Sequence, residues 1–374
     1  MPKKRGNGEG SVYHTKDGRW RASVLLPDGA RKYVSGDTRK EAAEELAKVL
    51  ATAARGGSVA SNRIIVDGFL DNWLRDEVEG SVRYSTYEDY ASIVKLHLKP
   101  ILGKKKLTQL KPDDIARLHK ALADKGLSAG RVLKVHRVLS KALKVAQRWG
   151  YVDRNVAELV TPPRAADREM EYLTKEEVKK LITAIHGRGD ESRWLLALLG
   201  LRQGEALGLR WRDVDLEAGT LTIRVALQRQ KGKGLVLVEP KSTSSRRTLH
   251  LYPDLVNALK ARKAAQAKDR LRAGNQWADT HDLVFTDETG HAIDAGHDHD
   301  AWEALLKRAE LRDVRLHDAR HTAATLLLLS GVPLRAAMEW LGHSQVSQTM
   351  RYTHVAPEVS KDTARRLGDT LFGA

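Results

Sequence analysis

The sequence predicts a multidomain α+β chain. It has a small β-sheet plus helix at the N-terminus, an all-helical segment, and a larger, mostly helical part with a small antiparallel sheet. Three observations carry this. The 374 residues amount to two or three domains, at roughly 150 residues per domain. Residues 11–36 alternate apolar and polar side chains between turn signals, whereas residues 64–160 repeat apolar residues every three or four positions. Beyond residue 168 both patterns recur, within a composition (30% charged, 41% hydrophobic) that suits a globular protein and not a disordered or fibrous one.

In the first segment, strands are expected at Ser11–His14, Trp20–Leu26 and Ala30–Val34. The turn signals Lys16-Asp17-Gly18 and Pro27-Asp28-Gly29 separate them. Thr38 and Glu41 have capping-box spacing, and Ala42, Leu46, Val49 and Leu50 give the helix behind them an apolar stripe. Arg19, Arg21, Arg31 and Lys32 lie on or beside the strands, and Arg55-Gly56-Gly57-Ser58 reads as a linker.

The second segment, 64–160, predicts four helices. One starts near Ile64 and contains Phe69, Trp73 and Leu74. The next carries Tyr87, Tyr90, Ala91, Val94 and Leu98, ends in Lys99-Pro100-Ile101-Leu102-Gly103, and is followed by the basic turn Lys104-Lys105-Lys106. A third opens at Pro112 with Ile115, Leu118 and Leu122. The fourth turns Val132, Val135, Leu139, Leu143 and Ala146 inward and Lys134, Arg137, Lys141, Lys144 and Arg148 outward. That cationic face suits phosphates; it equally suits the wet side of an amphipathic helix.

Residues 161–171 have linker composition. Thr174 and Glu177 form a second capping box and open the third part, 168–374. It combines a helix, an apolar segment at Trp194–Leu201, strands at Leu221–Gln228, Leu235–Val238 and Arg247–Leu251, and further helices.

Charge narrows the partners. Lys and Arg number 64 against 48 Asp and Glu, a net charge of +16. Of this, +12 lies in the first 167 residues, so the basic modules precede a nearly neutral larger part. Such a balance points to a polyanion or to a solvated basic surface. There is no cysteine, which excludes disulfides, zinc–thiolate and iron–sulfur sites, and a cysteine nucleophile. The opening Met1–Arg5 runs into Gly-rich polar sequence, so no secretory segment is expected. The most apolar stretches, Trp194–Leu199 and Ala323–Leu329, fall short of the ~18 residues that span a bilayer.

Four clusters in the third part could carry chemistry. The first is Gly200–Asp215, where Arg202 follows a buried helix between two glycines. Its guanidinium either matches phosphate oxygens or pairs with Glu205 to hold the turn. The second holds His317 and Arg320, three apart and therefore on one helical face. In the third, Leu341-Gly342-His343-Ser344, the serine is placed to cap a short helix. The fourth holds Tyr352, nine residues after His343. Lys241, between Glu239 and Arg247, adds an ammonium, with Lys231 and Lys233 as alternatives on the same connection. The only candidate metal cluster is His291, Asp294, His297, Asp298, His299 and Asp300, which also reads as a polar loop capping a helix near Ala301.

At these spacings the set resembles the tyrosine recombinase (phage integrase) family, whose signature runs Arg, Lys, His-x-x-Arg, His or Trp, and Tyr. The flanks match too: Gly-Leu-Arg-x-Gly-Glu before Leu-x-Leu-x-Trp-x-Asp, Arg-His-Thr after the His-x-x-Arg, and Leu-Gly-His-Ser. Ala319 departs, standing where a larger aliphatic residue is usual. The resemblance implies a catalytic set of Arg202, Lys241, His317, Arg320, His343 and the nucleophile Tyr352, with Glu205 in support. It implies an arm-type DNA-binding domain at 1–55, a helical (SAM-like) core-binding domain at 64–160 and the catalytic domain at 168–374. Arg19, Arg21, Arg31, Lys32, Lys104, Lys105, Lys134, Arg137 and Lys141 are the candidate DNA contacts.

The chemistry follows physically. A phosphodiester repels nucleophiles, and its transition state spreads more negative charge over the non-bridging oxygens. Arg202 and Arg320 would clamp those oxygens, with His317 and His343 adding hydrogen bonds. Tyr352 would attack phosphorus; with an unperturbed pKa of ~10 its phenol needs a cationic setting or a base. Lys241 would protonate the leaving 5′ oxygen. By resemblance, a 3′-phosphotyrosyl bond stores the bond energy, so neither cofactor, metal nor ATP is expected. The expected partners are double-stranded DNA attachment sites (core and arm), three further copies in a homotetramer, a directionality factor and a DNA-bending host protein, in a bacterial cytoplasm at the nucleoid and away from membranes. The tail with Leu367, Leu371 and Phe372 suits packing on a neighbouring copy, or on its own core. A type IB topoisomerase would share the chemistry, but the arm-like segment argues against it; an accessory protein that binds without cutting would not keep all six positions.

Overall fold

The computed structural model describes residues 10–15, 18–25, 31–54, 63–164, 171–239, 246–278 and 281–342. The chain divides into two compact units, Met1–Asp167 and Arg168–Ala374.

The first unit opens with an antiparallel meander of β1 (Ser11–His14), β2 (Trp20–Leu25) and β3 (Arg31–Gly36). The third strand runs two residues beyond the expected Val34, because Ser35 and Gly36 still pair with Arg21 and Trp20. Alternation puts Trp20, Ala22, Val24 and Val34 on one face, against Ala42, Leu46, Val49 and Leu50 of α1 (Arg39–Ala54). Thr38 accepts the Glu41 N–H at 3.2 Å, but the Glu41 carboxylate accepts from the N–H of Asp37, not of Thr38.

The helical segment holds α2 (Val66–Trp73), α3 (Tyr84–Ile93), α4 (Lys99–Leu102), α5 (Pro112–Asp124) and α6 (Ala129–Arg148). Helix α2 runs on through a π-turn at Leu74–Val78, and α3 through another at Val94–Leu98. The helix ends at Lys99–Leu102 with Gly103 as its C-cap, as expected, and Pro100 sits in the first residues of that last turn, where an N–H is not required. All five residues expected to face inward on α6 are buried, together with Phe69, Trp73, Ile115, Leu118 and Leu122. Within this core His119 Nε2 lies 3.1 Å from His136 Nδ1.

The second unit begins with α7 (Lys175–Ile185), whose capping box is complete: Thr174 Oγ1 accepts from Glu177 N, and Glu177 accepts from Thr174 N at 2.7 Å. Then come α8 (Glu191–Leu198), α9 (Gln203–Leu207), β4 (Val214–Asp215), β5 (Thr220–Ile223), β6 (Ala226–Gln230), β7 (Gly234–Val238) and β8 (Arg247–His250). Among the described residues four helices follow: α10 (Pro253–Ala273), α11 (Ala295–Arg308), α12 (Leu316–Leu329) and α13 (Leu334–Leu341).

Two expectations need correction here. Leu221–Gln228 is not one strand: β5 joins β4 and β8 in one sheet, while β6 and β7 form a separate hairpin. Leu221 and Ile223 bury themselves in the main core, and the chain breaks at Arg224-Val225 to bring β6 against α9. The helix expected near Ala301 starts at Ala295, because Asp294 caps it by accepting the Gly296 N–H at 2.7 Å. No helix among the described residues is long and apolar enough to cross a membrane.

Candidate active site

Three elements deliver the site. The turn after helix α8 holds Gly200, whose φ of +94° favours glycine and whose absent Cβ would sit 2.6 Å from Leu341 Cδ2. This tight turn places Arg202 at the N-cap of α9. Gln203 seats the same end: its Nε2 donates to Ala295 O and to Asp298 Oδ2, both at 2.9 Å. Asp298 is itself buried and held by both arms of Arg193, at 2.9 and 2.7 Å. The first turn of α12 supplies His317 and Arg320, and α13 supplies its C-terminus.

That C-terminus is the meeting point. The last carbonyls of a helix have no intrahelical partner. Here Trp340 O accepts from Arg247 Nε at 2.6 Å, Leu341 O from Arg320 Nη2, and Gly342 O from Arg202 Nη2 at 3.1 Å. Arg320, 3% exposed, also donates Nη1 to Gly200 O. Glu205, 5% exposed, accepts Arg202 Nη1 at 2.6 Å and Arg247 Nη2 at 3.1 Å. Burial alone would raise the Glu205 carboxyl, but Arg247 and Arg202 outweigh it and hold its pKa below the ordinary value. Desolvation by the surrounding protein lowers the His317 pKa although the residue is exposed on one side, and the Arg320 and Arg202 charges add to the effect. His321, stacked edge-on to His317 at 5.0 Å, is lowered to about 4 by burial and by its neighbour.

The structure thus brings together Arg202, Glu205, His317 and Arg320. Lys241, His343 with Ser344, Tyr352 and the tail with Leu367, Leu371 and Phe372 lie outside the described residues. Arg202 pairs with Glu205, and its side chain stays 37% exposed. The polar series around His297 is built into other contacts. Asp294 binds Arg229 as well as capping α11, Asp298 binds Arg193, and His299 pairs with Glu303. No group of three or more metal-ligating side chains is present among the described residues.

The candidate DNA contacts divide. Arg21 and Arg31 share the exposed face of the first sheet with Tyr13 and Tyr33, and Arg19 is exposed just before β2. Lys32 is cross-strand from Val24 and so points to the opposite, helix-covered face, because a strand alternates sides at each residue. Lys104 and Arg137 are exposed. Lys105 binds Asp114 at 2.7 Å, Lys134 binds Asp89 at 2.9 Å, and Lys141 lies over the Tyr90 ring. The residue that the sequence reading missed is Arg247. One signal could have found it: Arg247, Leu249 and Leu251 share a period of two, which puts the arginine in phase with a buried leucine.

Comparison with known proteins agrees with this architecture. The chain matches the phage integrase family over residues 171–358 and the phage integrase N-terminal SAM-like domain over residues 67–123. An integrase of Saccharopolyspora erythraea is 31% identical over 98% of both chains. A tyrosine recombinase XerC-like protein of Caldanaerobacter subterraneus subsp. tengcongensis is 31% identical over 91% of this chain and 92% of its own length. Among solved structures, the Tn1549 transposon integrase in complex with a circular intermediate DNA has a TM-score of 0.68 at 20% identity. That match covers 81% of this chain and 99% of the other. A lambda integrase tetramer bound to a Holliday junction has a TM-score of 0.55 at 18% identity, over 89% and 95% of the two chains. The chain belongs to the phage integrase family and is a tyrosine recombinase.

Proposed function

We propose that this chain integrates and excises a mobile DNA element by cutting and rejoining strands through a 3′-phosphotyrosyl bond. The observation that carries this is the convergence of Arg202 and Arg320 on the neighbouring carbonyls Gly342 O and Leu341 O, beside His317. Two guanidiniums and an imidazole set around one point suit the negative charge on the two non-bridging oxygens of a phosphodiester transition state. His317, its pKa lowered by burial and by the Arg320 and Arg202 charges, adds a hydrogen-bond donor. Tyr352 is the nucleophile, Lys241 the general acid, and His343 a further donor. Residues 1–55 bind arm sites through the sheet face of Arg21, Arg31, Tyr13 and Tyr33; residues 64–160 and 168–374 grip the core site; and four copies assemble on paired sites with a directionality factor and a DNA-bending host protein, at the bacterial nucleoid.

The experiment is to incubate the full chain with a nicked core half-site and resolve covalent protein–DNA adducts under denaturing conditions. Adducts are expected with the native chain and none with Tyr352→Phe. Adducts formed by Tyr352→Phe would remove the nucleophile assignment.

A further inference from the structure

We propose that Arg247 is a positioning residue of the strand-cleavage reaction, keeping the Arg202–Glu205 pair net positive toward the scissile phosphate by neutralising Glu205, and fixing the end of α13. The inference rests on the reading that Arg202 binds that phosphate.

Consider the charges in order. Arg202 and Glu205 alone form an ion pair of zero net charge, joined at 2.6 Å. A guanidinium whose charge is cancelled by a buried carboxylate attracts a phosphate weakly, because the carboxylate repels the same oxygens. Glu205 does not stand alone, however. Arg247, with 7% of its side chain exposed, reaches the same carboxylate from β8 at 3.1 Å. Two guanidiniums on one carboxylate leave a net charge of +1. Of the two, Arg202 is the exposed one, at 37%, so the surplus faces outward where a phosphate can meet it.

The second role is geometric. Arg247 Nε donates to Trp340 O, two residues before the carbonyl that Arg202 holds. The fork of one arginine thus ties β8, α9 and α13 together, which a lysine with a single ammonium cannot reproduce at both points. Glu205 can orient Arg202 without Arg247, but the pair then carries no net positive charge.

The test uses single-turnover cleavage of the nicked half-site by the full chain, with core-site affinity measured alongside. Arg247→Gln should slow cleavage roughly 10- to 100-fold, less than the loss for a group that touches the transition state directly, and leave core-site affinity within about threefold. The double variant Glu205→Gln with Arg247→Gln should recover most of that loss, since no carboxylate then opposes Arg202. Arg247→Lys should fall between them, keeping the charge but not the fork. A role in folding alone predicts the reverse: the double variant would cleave no faster than the single one, which overturns the proposal. So does an Arg247→Gln chain that cleaves at the native rate. Should Arg247→Gln fail to fold, a folded double variant cleaving tenfold or more slowly than Glu205→Gln with Arg247 intact would overturn it, and one cleaving at about the same rate would support it. Arg202→Ala is the reference. If it cleaves normally, the phosphate reading itself has failed; if it is inactive while Arg247→Gln is native-like, only the present inference has.

Discussion

Glu205 grips Arg202 at both ends: Oε1 accepts the guanidinium Nη1 at 2.6 Å, and Oε2 accepts the backbone N–H of the same residue at 3.0 Å. One buried carboxylate therefore sets both where α9 starts and where its N-cap side chain points. Glu205→Ala removes that hold and leaves Arg247 buried without its anion. We expect a loss of about 3 kcal/mol in unfolding free energy, the scale for breaking a buried pair, measured by urea titration at neutral pH. Unchanged stability would mean that the pair contributes nothing net.

Arg202→Ala addresses chemistry instead of folding. The side chain is accessible, and its buried partner Glu205 keeps the ion pair with Arg247, so the fold should persist. Single-turnover cleavage should drop by roughly 10³-fold while core-site affinity changes little. Parallel loss of affinity and cleavage would make Arg202 a binding residue.

Gly204 lies where α9 meets β6, and a Cβ there would fall 2.8 Å from the Leu227 carbonyl oxygen. Backbone cannot yield cheaply, so Gly204→Ala should push α9 away from the hairpin and cost about 1–3 kcal/mol. Cleavage should suffer as well, because Arg202 rides on that helix. A variant with native melting temperature would show that the hairpin moves freely.

The pH response of the second unit has a definite sign. His321 is held at about 4 against an ordinary value of 6.5, so the unfolded chain takes up its proton first as pH falls. The stability this histidine confers is complete above pH 6.5 and is lost on descent to pH 4. Between pH 7 and pH 5 the loss should be about 2 kcal/mol, and His321→Gln should flatten that part of the profile. A profile unaltered by the substitution would show that other groups drive the acid response.

Asp114 makes a parallel case in the first unit. Burial pushes its carboxyl up, but hydrogen bonds from Lys105 and Arg117 and from the Lys111 N–H overcome that and hold it at about 2. Its contribution is present above pH 3.8 and disappears as pH falls toward 2. With Lys105 and Arg117 both partly exposed, Asp114→Asn should cost only about 1 kcal/mol at pH 7. Melting curves at pH 7 and pH 3 should show the difference from the native chain narrowing with acid.

What could be foreseen from sequence followed the range of the forces involved. The Thr174 box and the inward residues of α6 depend on neighbours within one or two turns, and the structure reproduces them. The break between β5 and β6 was hidden because Arg224 and Val225 carry no turn signal; it arises from the pull of two different packing partners. The start of α11 was obscured by its polar first turn, His297 to Asp300, where only the Asx cap at Asp294 marks the boundary. Arg202, Glu205, His317 and Arg320 were legible as a chemical pattern. Arg247 was not, since its carboxylate partner lies 42 residues away and its neighbours Arg246 and Ser245 look equally polar.

The end of α13 has a further consequence. Successive carbonyls there are held by arginines from β8, α12 and the α9 cap, so a single short helix serves as the common datum for side chains that are far apart in sequence. Deleting or inserting one residue between Gly331 and Leu341 would rotate that datum by about 100° and mismatch three bonds at once. Natural variation in this chain should therefore accumulate as substitutions on the outer face of α13, and length changes should be confined to loops elsewhere.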